Sequence, residues 1–285
     1  MAPQKKYKTL HPYRDRPNSL GRRMALADQF DGFLVDLDGV VWVGREMVPG
    51  SAVALRELIE GGKEIVFVTN NPGRPAAVYA ERLREAGAPV GDDRVVTAGE
   101  ATARLAAERV GRGATAFVLG APAFHETVSA AGLEPLEGEA ARDAAVVLVS
   151  GHRGFDYEEL LTATRALQRG AALLATSRDP TMPMPGGAVP GTGAVLAAVE
   201  KASGATAEIG GKPERHLFDA ARERIAGAKR VAMVGDRVSS DIEGGRRAGL
   251  ATILVLSGAT TREEAEGAAP PPDHVVESLA DLAPQ

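Results

Sequence analysis

The chain has 285 residues, room for one large domain or two smaller ones, and its 44% hydrophobic and 25% charged residues are ordinary for a soluble globular protein. It contains no cysteine, which excludes disulfides, cysteine-zinc sites and thiol catalysis, and fits a cytoplasmic protein. Net charge is -5, no apolar run approaches the ~20 residues of a membrane span, and the N-terminus lacks a signal-peptide core, so neither a nucleic-acid nor a membrane partner is expected.

The charge is uneven along the chain. Residues 1–24 hold seven basic side chains against Asp15, which leaves them at +6 and the remainder at -11. A loosely packed basic tail over 1–29 is expected, in preference to an anion-binding arm.

From there short apolar runs alternate with stretches rich in Ala, Leu, Glu and Arg. Strands are expected at 33–36, 64–68, 115–119, 145–149, 171–175, 230–234 and 251–255. Helices are expected at 51–61, 74–86, 97–110, 157–169, 192–203, 214–226 and 241–248. After Pro270-Pro271-Pro272 comes a last short strand and helix. This rhythm predicts an α/β fold with parallel sheets covered by helices on both faces.

Ligands of open parallel sheets sit beyond the carboxyl ends of strands. The first strand ends in Asp36-Leu37-Asp38-Gly39, two carboxylates one residue apart. Buried carboxylates need a cation or a shared proton. Mg²⁺ fits best, because it is held by one or two carboxylates plus waters and substrate phosphate. A calcium loop fits less well, since Gly39 comes too early for a third oxygen ligand. The plain alternative is a solvated Asp-Gly turn.

Three further strand ends carry reactive groups. Strand 64–68 leads into Thr69-Asn70-Asn71, a short apolar run at 207–209 leads into Gly211-Lys212-Pro213, and strand 230–234 leads into Gly235-Asp236 with Asp241 beyond. Each has a bland reading as a helix cap or surface residue. Together they supply a hydroxyl donor, a cation and further carboxylates, the set a Mg²⁺-dependent phosphoryl-transfer site requires. Gly211-Lys212 is not a Walker A loop, because proline follows the lysine and the glycine spacing is wrong. Gly191-Thr192-Gly193 lacks the third glycine of a dinucleotide fingerprint and reads as a tight turn into a helix.

In this order the four segments resemble the motifs of the haloacid dehalogenase superfamily of phosphohydrolases, and the subclass resembles the NagD-like, para-nitrophenyl phosphatase type, subclass IIA. Val48-Pro49-Gly50 and Pro183-Met184-Pro185-Gly186-Gly187 support it, and the resemblance covers roughly 30–260. It departs at Ser177-Arg178 before Asp179, where Asn-Pro is common, and at His152-Arg153, where Leu-Asp is common.

The spacing agrees with that subclass. Thr69 and Lys212 are 143 residues apart, against 33 from Asp36 to Thr69 and 24 from Lys212 to Asp236. Groups that must converge leave the long gap to a separate folded unit. The expected layout is a Rossmann-like doubly wound core at 30–111 and 190–285, with an inserted α/β cap at 112–189. The resemblance implies that this cap is mobile over the site, and it leaves room for a homodimer through the cap.

The resemblance implies a phosphatase acting on small phosphate monoesters such as sugar, glycerol, glycolate or nucleoside phosphates. Asp36 is the expected nucleophile, forming an aspartyl-phosphate, and Asp38 the general acid and then base. Lys212 offsets charge, and Thr69, Asn70 and Asn71 grip phosphate. Mg²⁺ is expected on Asp36, the Asp38 carbonyl and Asp236, with Asp241 a water-mediated ligand or an anchor for Lys212. His152, Arg153, Arg178 and Asp179 are the candidates to read the leaving group. The competing expectations are a phosphotransferase or mutase on the same core, and a non-catalytic module, against which the retention of Asp36 and Asp38 argues.

Overall fold

The structure, a computed structural model, describes residues 25–182, 187 and 189–283. Of the expected tail 1–29, residues 1–24 lie outside the described residues, as do four of the five residues of Pro183-Met184-Pro185-Gly186-Gly187; the rest of the tail is not loose, because Leu26–Gln29 forms a 3₁₀ turn that buries Ala27 in the first core.

Six parallel strands form the first sheet. Across it they run His274–Val276, Ala251–Val255, Val231–Gly235, Gly32–Asp36, Glu64–Thr69 and Val95–Thr97. Counted along the chain, this is the 3-2-1-4-5-6 order of a doubly wound sheet, with its switch point between Gly32–Asp36 and Val231–Gly235. Those two strands pair from Gly32 opposite Val231 to Val35 opposite Val234, so both end on the same edge. Their residues are buried throughout, as expected for strands covered on both faces. One face packs Phe33, Val35, Phe67, Val234 and Ile253 against Leu55, Leu58 and Leu83. The other packs Leu34, Val66, Val68 and Met233 against Leu217, Phe218 and Ala221.

A second parallel sheet lies between the two halves of the first. Its order is Glu208–Ile209, Ala172–Ala175, Val146–Val149, Thr115–Leu119 and Glu134–Pro135. In chain order this is 2-1-3-4-5, the other common doubly wound arrangement. Helix Thr192–Ser203 belongs with it, since Val195, Leu196 and Val199 share a core with Val147, Val149 and Ala163. The insert therefore continues past residue 189, where its end was expected, to Ile209. The short run at 207–209, within the span expected for the core, pairs instead with the second sheet, Ile209 opposite Ala175.

Helix Ala98–Val110 joins the two units. Thr97 caps it, accepting from the Glu100 amide at 3.1 Å, while Glu100 reaches back to the Thr97 amide. Its first turn packs Ala98 and Ala101 into the first core, and its later turns pack Ala103, Leu105 and Ala106 into the second. Strand Val95–Thr97 and helix Pro122–Ala130 were not anticipated; three residues are too few for a clear period-2 signal.

The return crossing is tight. Gly210 donates to the Ala175 carbonyl and lies against helix Ala98–Val110. A Cβ at this position would stand 2.6 Å from Thr102 Cα and 2.8 Å from its amide nitrogen. We expect Gly210→Ala to cost about 1–3 kcal/mol in urea unfolding, because the obstruction is backbone and cannot swing away. It should also lower activity, since Lys212 is two residues further on.

Candidate active site

The switch point brings the charged strand ends together. Asp36 ends the first strand, Asp236 follows Val231–Gly235, and Asp241 lies in a π-helical turn, Val238–Ile242, immediately after. Gly235 has to be small, because a Cβ there would stand 2.2 Å from Asp241 Cβ. All three carboxylates are buried, and one oxygen of each lies within 4.8 Å of the others.

Lys212 enters this group from the return loop. Its buried ammonium is 2.6 Å from Asp36 Oδ1 and 2.7 Å from Asp241 Oδ1. Asn70 holds the lysine backbone in place: Oδ1 accepts from the Lys212 amide at 2.8 Å, and Nδ2 donates to the Lys212 carbonyl at 3.1 Å. The same Nδ2 donates to Asp179 Oδ2 at 3.0 Å, so the loop after Ala172–Ala175 meets the first sheet here. Thr69 is buried and its Oγ1 accepts from the Asn71 amide at 3.0 Å, which leaves the hydroxyl proton available.

Burial weakens the charged form of the Asp36 and Asp236 carboxyls. It pushes Asp36 well above the usual carboxylate range; Lys212 opposes this, and Asp241 and Asp236 add to it. Burial, then Asp241, pushes Asp236 up to about 6, against the Ala259 amide, which donates to Oδ2 at 2.7 Å. Burial opposes the charge on Lys212, yet Asp241 and Asp36 more than compensate and hold its ammonium above the ordinary lysine range.

This donor set fits Mg²⁺. Three carboxylates face one ammonium, and the buried Asp236 Oδ1 has no hydrogen-bond partner. A hard divalent cation among oxygen ligands supplies the missing charge and the missing partner.

Asp38 lies beside this cluster, half-buried, with Oδ1 accepting from Trp42 Nε1 at 3.1 Å. Burial raises its carboxyl, and the hydrogen bond from Trp42 and the charge of Lys212 work against that.

A model of haloacid dehalogenase-like hydrolases matches residues 33–134, and a second, HAD-hydrolase-like model matches 209–282. The chain is 38% identical to the glycerol-3-phosphate phosphatase of Gallus gallus, over 91% of this chain and 93% of that one. The chain belongs to the haloacid dehalogenase-like hydrolases. Solved structures that share its fold include two phosphatases. The glycerol phosphate phosphatase of Mycobacterium tuberculosis in complex with magnesium is 32% identical, with a TM-score of 0.84, over 91% of this chain and 78% of that chain. The 4-nitrophenylphosphatase of Thermotoga maritima is 36% identical, with a TM-score of 0.82, over 90% and 97%. The protein is thus a NagD-like phosphatase of subclass IIA, with Mg²⁺ as its cofactor, hydrolysing small phosphate monoesters.

The loop candidates divide. Asp179 is at the site through Asn70. Arg178 is not free to read a substrate: its guanidinium forks onto Glu200 at 2.8 and 3.0 Å and donates to the Ala207 carbonyl. The Arg178 charge is therefore spent within the inserted unit. Arg153 is exposed and makes no hydrogen bond or ion pair among the described residues. His152 Nε2 lies 3.1 Å from Glu159 Oε2. Sequence reasoning missed Trp42, although it is the chain's only tryptophan and stands four residues after Asp38.

The raised Asp236 carboxyl has a measurable sign. A group with its folded pKa above its unfolded value of 3.8 stabilises fully below that value and loses the contribution as pH rises through about 6. In chelator, the stability of wild type relative to Asp236→Asn should therefore fall between pH 4 and 7.5. Melting curves of both proteins across that range check it; a difference independent of pH would refute the assignment.

Proposed function

We propose that the protein hydrolyses glycerol 3-phosphate, or a phosphomonoester of similar size, through an aspartyl-phosphate on Asp36. The observation that carries this is the buried Lys212 ammonium shared by Asp36 and Asp241 next to Asp236 at the switch point. The likeness to glycerol-3-phosphate phosphatases over nearly the whole chain supports the substrate.

Asp36 attacks phosphorus, and Lys212 keeps its carboxylate oriented and offsets the negative charge of the phosphoryl oxygens. Asp36, the Asp38 carbonyl and Asp236 would hold Mg²⁺, which would supply the charge neutralisation that lets a carboxylate approach a phosphate dianion. Asp241 anchors Lys212, a role its 2.7 Å contact favours over direct ligation. Thr69 Oγ1 and the Asn70 amide bind phosphate oxygens. The Asn70 side chain is occupied with Lys212 and Asp179, and Asn71 shapes the loop. Asp38 protonates the leaving alkoxide and then activates water.

The inserted unit acts as a mobile cap that reads the leaving group, with Asp179 and Arg153 as its readers. Arg153 follows strand Val146–Val149 on the same sheet edge as the Asp179 loop, which supports that placement. We also read the chain as cytoplasmic, which its lack of cysteine supports; among the described residues no helix is long and apolar enough to cross a membrane. A homodimer through the cap is part of the same reading. Tyr157, 74% exposed at the start of a cap helix, is the kind of residue interfaces bury.

Asp36→Asn should stay folded and lose phosphate release from glycerol 3-phosphate by several orders of magnitude, since an amide does not attack phosphorus. Wild type in excess chelator should be equally silent and recover with Mg²⁺. A folded Asp36→Asn protein with more than about a tenth of wild-type turnover would sink the assignment.

The two arginines should differ. Arg153→Ala should raise KM for glycerol 3-phosphate about tenfold while changing that for para-nitrophenyl phosphate less. Arg178→Ala should leave the ratio of the two KM values unchanged and lower the melting temperature slightly. Steady-state kinetics on both substrates decides; a substrate-selective effect of Arg178→Ala would reverse the assignments.

A further inference from the structure

Trp42 is buried, in the short hairpin of strands Trp42–Val43 and Glu46–Met47 that follows the aspartate pair. It is held from every side. Its carbonyl accepts from the Gly39 amide at 2.7 Å, and its amide donates to the Leu37 carbonyl at 3.2 Å. One ring contact is Tyr79, stacked at 6.4 Å between centroids with 14° between planes. Another is Arg82, whose guanidinium carbon is 3.9 Å from the indole centroid. Arg82 also donates to the Gly44 carbonyl at 3.0 Å, tying down the hairpin turn, and Tyr79 donates to the Asn71 carbonyl at 3.2 Å. This column joins the loop bearing Asp38 to the loop bearing Asn71.

All of this fixes one polar atom. Indole Nε1 is a donor and never an acceptor. It faces Asp38 Oδ1 at 3.1 Å. An oxygen facing a fixed donor stays an acceptor, so a proton on this carboxyl resides on Oδ2.

We propose that Trp42 is a positioning residue for the proton-transfer step: its indole N–H orients Asp38 and confines the transferable proton to Oδ2. The proposal rests on the reading of Asp38 as general acid. In the step concerned, a bond forms between an Asp36 carboxylate oxygen and phosphorus, and the bond from phosphorus to the leaving oxygen breaks. The electron pair of the broken bond stays on the leaving oxygen, which takes the proton from Asp38 Oδ2, and Asp38 is left as carboxylate. Without the indole donor the carboxyl rotates and its proton is shared between two oxygens, one of them turned away from the leaving group.

The test compares two leaving groups. 4-Nitrophenolate departs without a proton, whereas the alkoxide of glycerol needs one. The constant kcat/KM covers steps only through departure of that group, so hydrolysis of the aspartyl-phosphate does not enter. In Trp42→Phe, which keeps an aromatic ring and removes the N–H, kcat/KM for glycerol 3-phosphate should fall about tenfold or more. That for para-nitrophenyl phosphate should fall several-fold less. Equal falls, or no fall in either, overturn the proposal. A purely structural role moves both substrates together. If Trp42→Phe does not fold, Trp42→benzothienylalanine, which keeps the bicyclic ring with sulfur in place of N–H, gives the same comparison. Asp38→Asn separates the two readings. If it lowers the glycerol 3-phosphate to para-nitrophenyl phosphate ratio and the Trp42 variants do not, the Trp42 proposal alone fails. If it leaves the ratio unchanged, Asp38 is not the acid, and both fall.

Discussion

Three carboxylates buried around one ammonium set the terms for the rest of this molecule. Leaving any of these charges unpaired in the interior costs about 3–5 kcal/mol. The fold therefore has to deliver Asp36, Asp236, Asp241 and Lys212 to one place together. Lys212 alone bridges Asp36 and Asp241, yet it leaves the cluster short of positive charge. That shortfall makes the site a cation site. It is also why substrate phosphate, itself an anion, can approach the Asp36 carboxylate only once the charge is balanced.

Topology meets the demand without long-range strain. In a doubly wound sheet, neighbouring strands on either side of the switch point diverge in their crossovers and leave a crevice at their carboxyl ends. Asp36 ends one of those strands, Asp236 follows the other directly, and Asp241 needs only one π-helical turn to reach them. Lys212 is the costly member. It is 143 residues from Thr69, and it is positioned by the end of the inserted sheet, by the close packing of Gly210 on helix Ala98–Val110, and by Asn70 clasping its backbone at both amide and carbonyl. The insert is thus part of how the core positions its own cation.

What the sequence made legible follows from the same physics. An apolar strand that stops at a carboxylate is visible in one dimension, and so is the order of four such strand ends. The central strands were placed to within a residue or two because burial on both faces leaves continuous apolar runs. Pairings across the fold were not visible. Nothing local says that Arg178 meets Glu200, 22 residues on, or that the two residues Glu208–Ile209 close the second sheet rather than opening the return to the first. Trp42 shows the intermediate case. A lone tryptophan four residues from a reactive aspartate is a visible oddity, but its hydrogen bond depends on a hairpin only two residues wide on each side.

On the proposed assignment every group of the charged cluster addresses phosphate, which every phosphomonoester carries, so discrimination between substrates has to come from outside it. The structure limits where else it can arise. The carboxyl edge of the second sheet meets that of the first at Asn70 with Asp179, and Asn71 Nδ2 lies 3.9 Å from Met182 Sδ. With phosphate bound as proposed, its leaving group emerges between the two edges, where loop residues of the insert are its neighbours. Because Asn70 contacts both Asp179 and the Lys212 backbone, a leaving group that displaces the Asp179 loop also disturbs the hold on the cation. On the proposed assignment of roles, poor fit at the insert is thereby transmitted to the phosphoryl-transfer groups and registers in turnover as well as in binding.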